Sequence, residues 1–434
     1  MPLSTYTYPP SCPSSSDYQL TAEGQAQFVY HTAVADFAAF GADGPVQIQV
    51  TLPAGAGAAA VRPLSRGILA EREGACLRFR LPGPGNYLVQ PEGFNPLFIY
   101  VNPTDLNLPA AGPAVRRIPA GTVAEAGNLT LKSGETLCIE PGAVLRGPIR
   151  VSNAQNVTIC GGGILDGGCA EAAPPGPASR LLVVEGCQNV TIRDIILIQP
   201  ESWMLVLGAC RDVHIASLRE IGRVISSDGI DVVGSRNVLI ENCCLRNNDD
   251  CIVIKSCPGD SPLGVDWRGE VENVTARGCI LWNAEAGNAL EIGHELQAKH
   301  IRDIRFEDID IICVHGTGAP FSIHNGDRAT VENVAYKNIR VEHHYDKLID
   351  FRIMRSRFNH DPERGQVRRV SLRNIDVTES IYNPGYTISV IGGWDANHTI
   401  EGVSFENFRL GGRKISRLED LPAYTAHCKA ITFA

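Results

Sequence analysis

Asn156-Val157-Thr158-Ile159, Asn189-Val190-Thr191-Ile192, Asp212-Val213-His214-Ile215, Asn237-Val238-Leu239-Ile240 and Asn273-Val274-Thr275-Ala276 repeat one short pattern at intervals of 33, 23, 25 and 36 residues. Ile304-Arg305-Phe306, Val331-Glu332-Asn333-Val334, Val370-Ser371-Leu372 and Val403-Ser404-Phe405 continue it toward the C-terminus. Val, Ile and Thr suit a pleated backbone, but so short a strand cannot bury its apolar face alone. Recurrence near every 23 residues therefore predicts a solenoid whose coils stack strand on strand, the longer intervals being coils with loop insertions. A leucine-rich repeat would need a Leu-x-x-Leu-x-Leu frame, which these segments lack. In a parallel β-helix, residues one period apart form ladders. The Asn at each repeat start is predicted to bond its counterparts or to take a left-handed turn.

Composition agrees with an all-β chain. In 434 residues there are 43 Gly and 27 Pro, more turn-formers than a helical protein tolerates, and 44% hydrophobic residues can fill a long core. Ahead of the repeats, Val46-Gln47-Ile48-Gln49-Val50 and Cys76-Leu77-Arg78-Phe79-Arg80 alternate apolar and polar, and Tyr87-Leu88-Val89 and Leu97-Phe98-Ile99-Tyr100-Val101 follow. Half-buried antiparallel strands of this kind predict a small β-sandwich over residues 1–108 and the solenoid over 109–434. Ala, Gly and Pro crowd positions 53–63 and 108–120, which predicts one loop and one linker.

A net charge of −9 without a basic cluster argues against a nucleic-acid partner. No run of about 18 apolar residues is present to span a membrane, and Met1-Pro2-Leu3-Ser4-Thr5-Tyr6 lacks a basic stretch leading into an apolar one. The expectation is a cytoplasmic protein, or a secreted one if a leader preceded this start. Of 14 Cys, those at 138, 160, 187, 210, 243, 279 and 313 sit in or beside apolar runs, which predicts reduced, internally stacked thiols. No pair has zinc-ligand spacing.

The chemistry is concentrated in Ser226-Ser227-Asp228-Gly229-Ile230-Asp231 and Asn247-Asn248-Asp249-Asp250-Cys251-Ile252-Val253-Ile254-Lys255. Asp249 and Asp250 follow Asp228 by 21 and 22 residues, about one coil, so the three carboxylates should converge on one side of the solenoid. Crowded like charges raise at least one pKa, as a general acid beside a general base requires. Asp231 is read as a turn residue of the Asp-Gly kind. Clustered carboxylates also suit a hard cation such as Ca²⁺, a second possible use of the same residues.

At these residues the chain resembles glycoside hydrolase family 28, the polygalacturonases, and the related family 49 of dextranases and isopullulanases. Both are right-handed parallel β-helices of the pectin lyase-like type. The polygalacturonase signature runs Asn-Thr-Asp, Asp-Asp, Gly-His-Gly and Arg-Ile-Lys. Asp228 matches the acid of the first element and Asp249-Asp250 the second, with Cys251-Ile252-Val253-Ile254-Lys255-Ser256 continuing the likeness. Gly161-Gly162-Gly163-Ile164-Leu165-Asp166-Gly167 looks like a turn found early in such helices, and the resemblance spans roughly residues 121–410. A leading β-sandwich is closer to the dextranase arrangement.

The departures fall at the substrate side. In Gly287-Asn288-Ala289-Leu290-Glu291-Ile292-Gly293-His294, Asn288 stands where the signature has His, and Phe321-Ser322-Ile323-His324 stands where Arg-Ile-Lys would lie. The cationic clamp for a uronate carboxylate is therefore missing. The resemblance implies that Asp249 protonates the leaving oxygen while Asp228 and Asp250 activate water, giving inversion without a metal or other cofactor. An inverting pair should then stand about 6.5–9.5 Å apart, whereas about 5 Å would favour retention. Candidate substrate contacts are Asn288, Glu291, His294, Glu295, His324, Asp327, Arg328, Arg352 and Trp394. Glu291, His294 and Glu295 are expected two coils above the acids, and Asp350 is placed to neutralise Arg352. Trp203, Trp282 and Trp394 are candidates for stacking on a sugar ring.

The expected function is an inverting glycoside hydrolase on an α-linked, neutral glycan or oligosaccharide, dextranase-like or exo-acting, its pocket closed by loops at 256–270, 315–330 and 355–365. Hydrolysis of pectic oligosaccharides by a polygalacturonase-type enzyme is the alternative. A polysaccharide lyase would need Ca²⁺ or a basic residue to abstract a proton, and a non-catalytic carbohydrate-binding solenoid would carry the acids as relics. The expected partner is a carbohydrate substrate.

Overall fold

The computed structural model describes residues 3–127, 129–168, 179–378 and 388–434. The repeated motif becomes one row of parallel strands. Val157 pairs with Val190, and the pairing continues through Val213, Val238, Val274, Ile304, Val334, Val370 and Val403. Each valine or isoleucine lands on its equivalent one coil below because a one-residue slip would turn the whole apolar set toward solvent. The result is a right-handed parallel β-helix, its coils built from a 21-stranded sheet holding two strand rows and a wholly parallel ten-stranded sheet. Among the described residues there is no α-helix. One continuous apolar core runs from Ala126 to Leu421 along the helix axis.

The Asn ladder takes both predicted forms at once. Asn156, Asn189, Asp212, Asn237, Asn273 and Asn333 all have φ between 54° and 58°. Their side chains are linked between coils, Asn189 Nδ2 donating to Asn156 Oδ1 at 2.6 Å, Asn237 Nδ2 to Asp212 Oδ1 at 2.8 Å and Asn273 Nδ2 to Asn237 Oδ1 at 3.1 Å. Asn supplies both a short side chain tolerant of the left-handed region and a group that donates and accepts in register. All thirteen described cysteines are free, and only Cys76 and Cys428 are not fully buried, while Cys169 lies outside the described residues.

Residues 3–102 form two further sheets packed as a sandwich. Val46–Thr51 and Cys76–Leu81 pair antiparallel with Val, Ile, Leu and Phe inward and Gln and Arg outward. The other sheet contains one parallel pair, Leu97–Asn102 on Asp36–Ala42. Ala59–Arg62, expected to lie in a loop, is a strand on Gly85–Pro91. No strand occurs between Asn102 and Val115, where the chain crosses to the helix.

The sandwich is docked on the helix through Phe37, Phe98 and Tyr100, which pack on Ile196, Ile198, Ile221, Cys244 and Trp282. Asn86 adds a donor to the Asn242 carbonyl at 2.9 Å and accepts from Arg219 Nε at 3.0 Å. Trp282 is consumed by this contact, its ring 6.4 Å from that of Phe98, and does not serve a sugar.

Asn237→Ala should strain the left-handed residue and break two ladder bonds, costing about 1–3 kcal/mol in urea unfolding. Asn237→Gly, which keeps the backbone conformation, should lose less.

Candidate active site

Strand alternation determines which side chains face outward from the ten-stranded sheet. Ile230, Val232, Ile252, Ile254, Leu290, Ile292, Phe321, Ile323, Ile349 and Phe351 point into the core. Their neighbours Asp231, Lys255, Glu291, His324, Asp350 and Arg352 therefore share the outer face. Inter-strand register orders them by coil: Asp231 opposite Val253, Val253 opposite Glu291, Glu291 opposite Ser322, and His324 opposite Arg352. Glu291 thus lies one coil above Asp249-Asp250, not two. The offset of 41 residues from Asp250 to Glu291 is one coil lengthened by a loop.

Two residues before each of three stacked strands, Asp228, Asp250 and Asn288 occupy equivalent positions, since Ile230 pairs with Ile252 and Ile252 with Leu290. Asp249 leans into the space above Gly287, where a Cβ would come within 2.3 Å of its Oδ1, so only glycine admits it. One oxygen from each of Asp228, Asp249 and Asp250 lies within 4.8 Å of the other two. This nearest-oxygen spacing is shorter than the about 6.5–9.5 Å expected of an inverting pair.

The three acids differ in environment. Burial, aided by the Asp228 charge, pushes Asp249 up to about 7. Burial likewise raises Asp250, with Asp249, Glu291 and Asp228 adding to it, while its Oδ1 accepts from Asn288 N at 2.6 Å and Asn288 Nδ2 at 2.9 Å. Asn288 Oδ1 in turn accepts from Ala319 N at 2.9 Å. Asn288 thus orients Asp250, with both ends of its amide engaged by the protein. Burial raises Asp228 too, but the Lys255 ammonium at 2.7 Å opposes the rise.

Lys255 also donates to Asp231 Oδ1 at 2.9 Å, and Trp203 lies 3.8 Å from its nitrogen. Asp231 is accordingly a fully buried strand residue and not a turn residue. Burial works against the Lys255 charge, yet Asp228 and Asp231 hold its pKa well above the ordinary lysine range. An ammonium so placed already supplies the positive charge that a hard cation would bring.

One coil above, Glu291 Oε1 faces His324 Nδ1 at 3.0 Å and Asp350 Oδ2 faces His324 Nε2 at 3.2 Å. Burial opposes protonation of His324, but Glu291 and Asp350 outweigh it and push the imidazole up to about 9. Carboxylates facing both ring nitrogens favour the protonated imidazole, although Arg352 Nη2 also lies 3.2 Å from Nε2. Glu291, His294 and His324 have ligand atoms within 4.8 Å of one another, and a metal there would have to displace the proton that Glu291 and Asp350 favour on His324. Arg352 grips Asp350 at 2.6 and 2.7 Å, the neutralising contact expected of it. His294, lowered by burial, lies 4.6 Å from the His324 ring with Nδ1 buried and unpartnered, and Glu291 Oε2 is likewise unpartnered. Glu295 is close enough to Asp228 to raise its carboxyl.

The remaining expected contacts belong to the walls. Asp327 is fully buried and accepts from Leu296 N at 2.9 Å, His360 N at 2.7 Å and Asp361 N at 2.6 Å. It anchors the segment after Ile353, whose Phe358 ring stands 5.4 Å from His294. Arg328 lies along the same segment, Nε 3.5 Å from Asp361. Trp394 is exposed, and the contact its ring makes is with Arg364, 5.9 Å away. At the opposite end, Trp267 is buried against Val183, Val206 and Val233 and donates to Glu185 at 3.1 Å. Gly208 and Gly259 leave room for its ring, since a Cβ at either would come within 2.4–2.6 Å of it. Residues 315–330 are not one loop, because Phe321–Asn325 is a strand of the outer sheet.

Fold and site together define a right-handed parallel β-helix protein that carries a buried acid trio on its outer face. The family model of glycosyl hydrolases family 28 matches residues 121–378, and the chain belongs to that family. Polygalacturonase QRT2 of Arabidopsis thaliana is 24% identical over 273 residues, 59% of this chain and 58% of that protein. The chain spans about half the length of the curated relatives it matches, 44% and 58% for two of them. Dex49A from Penicillium minioluteum shares the fold with a TM-score of 0.62 at 13% identity, over 96% of this chain and 92% of that one. The family 28 exopolygalacturonase of Yersinia enterocolitica does so with a TM-score of 0.55 at 15% identity, over 100% and 95%. Lys255 and Asp231 are the site residues whose part motif reading missed, and Trp203, expected to stack on a sugar, has Lys255 and Arg180 against its ring. A lysine five residues after an acid pair, on an outward strand position, was the available signal.

Trp267→Ala should release the segment around it, raising amide hydrogen exchange at 266–269 and destabilising the protein by about 3–5 kcal/mol if that segment unfolds with the coils it covers.

Proposed function

We propose that the chain hydrolyses an α-linked, neutral glycan or oligosaccharide with inversion, with Asp249 as general acid and Asp228 and Asp250 acting on the water. The observation that carries this reading is the convergence of three carboxylates whose environments differ. Asp249 gives its proton to the glycosidic oxygen as the bond to the anomeric carbon breaks. A water attacks that carbon, and its proton passes to the carboxylate opposite. Inversion is supported by family membership, whereas the nearest-oxygen spacing does not favour it.

The neutral substrate rests on charge pairing. His324 is spanned by Glu291 and Asp350, and Arg352 is gripped by Asp350, so neither is set to clamp a uronate. The walls anchored by Trp267 and Asp327 favour a short oligosaccharide or a chain end. A pectic oligosaccharide is the second reading, favoured by membership of a family that includes the similar polygalacturonase.

Neutral α-linked oligosaccharides and oligogalacturonates, compared as substrates, separate the two readings. NMR of the anomer first released should show inversion, and retention would exclude the mechanism. Asp249→Asn should lower kcat by about 10²–10⁴ while leaving sugar affinity intact. Because the acid must be protonated, kcat/KM should fall as pH rises through about 7.

A further inference from the structure

Lys255 is the buried cation nearest the acid trio, and the hydrolase reading gives it no part. Its ammonium is fixed from three sides, by Asp228 at 2.7 Å, Asp231 at 2.9 Å and the face of Trp203 at 3.8 Å. Arg180 also packs on Trp203, 4.2 Å from its ring centre, so the indole cannot swing away without losing a second cation. Val233 pairs with Lys255 across the sheet, and Asp231 lies two residues earlier on the same outward face. The lysine is therefore delivered to the acids by strand register and has little freedom to turn elsewhere.

We propose that Lys255 is a positioning residue that holds Asp228 as the ionised, water-activating base, with Asp231 as its second anchor, and that Asp250 acts as a fixed neighbour and not as the base. This inference rests on the hydrolase reading and divides a role that reading leaves shared. Asp250 Oδ1 is already occupied by two donors from Asn288, and Asp250 has no cation of its own at contact distance. Asp228 has one. The groups facing Asp228 are Asp231, Asp249, Asp250 and Glu295, all acidic, with Lys255 in contact and Arg180 packed on Trp203. Glu220 is held well above the usual carboxylate range by burial, with Asn247 as its hydrogen-bond partner, so it adds little charge. Burial raises Asp231 too, but the Lys255 ammonium in contact with it opposes the rise. In that company only the lysine keeps an anion at Asp228. Its second carboxylate, Asp231, holds the ammonium in place but competes for it and repels Asp228.

Two substitutions should therefore move Asp228 in opposite directions. The intact protein labelled with ¹³Cγ-aspartate, with the Asp228 signal assigned by its loss in Asp228→Asn, reports this titration without any substrate. Lys255→Met should move the Asp228 midpoint up by about 1–3 pH units, and Lys255→Arg should restore it. Asp231→Asn, which keeps the lysine and removes its competitor, should move it down. In the hydrolysis assay the acidic limb of kcat/KM should shift the same way with KM little changed, whereas a merely structural role would lower activity without moving the limb. An Asp228 midpoint unchanged in Lys255→Met, or moved upward by Asp231→Asn, overturns the proposal. If Lys255→Met does not fold, the direction found in Asp231→Asn decides alone. Absence of turnover in the unsubstituted enzyme would sink the hydrolase reading, and the titration would still return its own answer.

Discussion

Parallel register between coils is the constraint on which the site depends. Once Ile230 lies under Ile252 and Ile252 under Leu290, Asp228, Asp250 and Asn288 have no choice of neighbour, although they are far apart in sequence. The apolar residues that set this register pay for an electrostatic penalty, because a core continuous over the length of the helix can bear a patch where acids repel one another. The Asn ladder contributes from the other sheet by fixing the turn at each coil, so that the outer face receives its strands at the same height.

The solenoid was legible because its signal is repeated. A strand of four residues is ambiguous alone, but Val157, Val190, Val213 and Val238 recur with an Asn or Asp before each, and no other arrangement lets every one of them be buried. The acid trio was legible for the same reason, since its spacing equals the coil. What failed did so where period and side-chain direction parted company. Asp231 follows Asp-Gly-Ile and reads as a turn, but the turn has ended at Gly229 and Asp231 is already a strand residue facing outward. Asn288 stands where a histidine is expected, and only the register shows that it sits directly above Asp250 and donates to it. Asp327 looked like part of the substrate side, yet three backbone amides bind it. Insertions hid the coil count: a loop between Ser256 and Val271 makes one coil look like two, and Glu291 was placed accordingly.

A buried cation divides the outer face into two electrostatic regimes. On the lower coils Lys255 is shared by Asp228 and Asp231. On the upper coils His324 and Arg352 are held by Glu291 and Asp350. Asp249 and Asp250 lie between and have no cation in contact. Burial therefore acts on them with least opposition, and Asp249 rises to about 7. The carboxyl raised to about 7 is thus the one left unpaired between two paired layers. The same pairing leaves Lys255, His324 and Arg352 each with a carboxylate at hydrogen-bond distance, so none of the three stands as a free cation on this face.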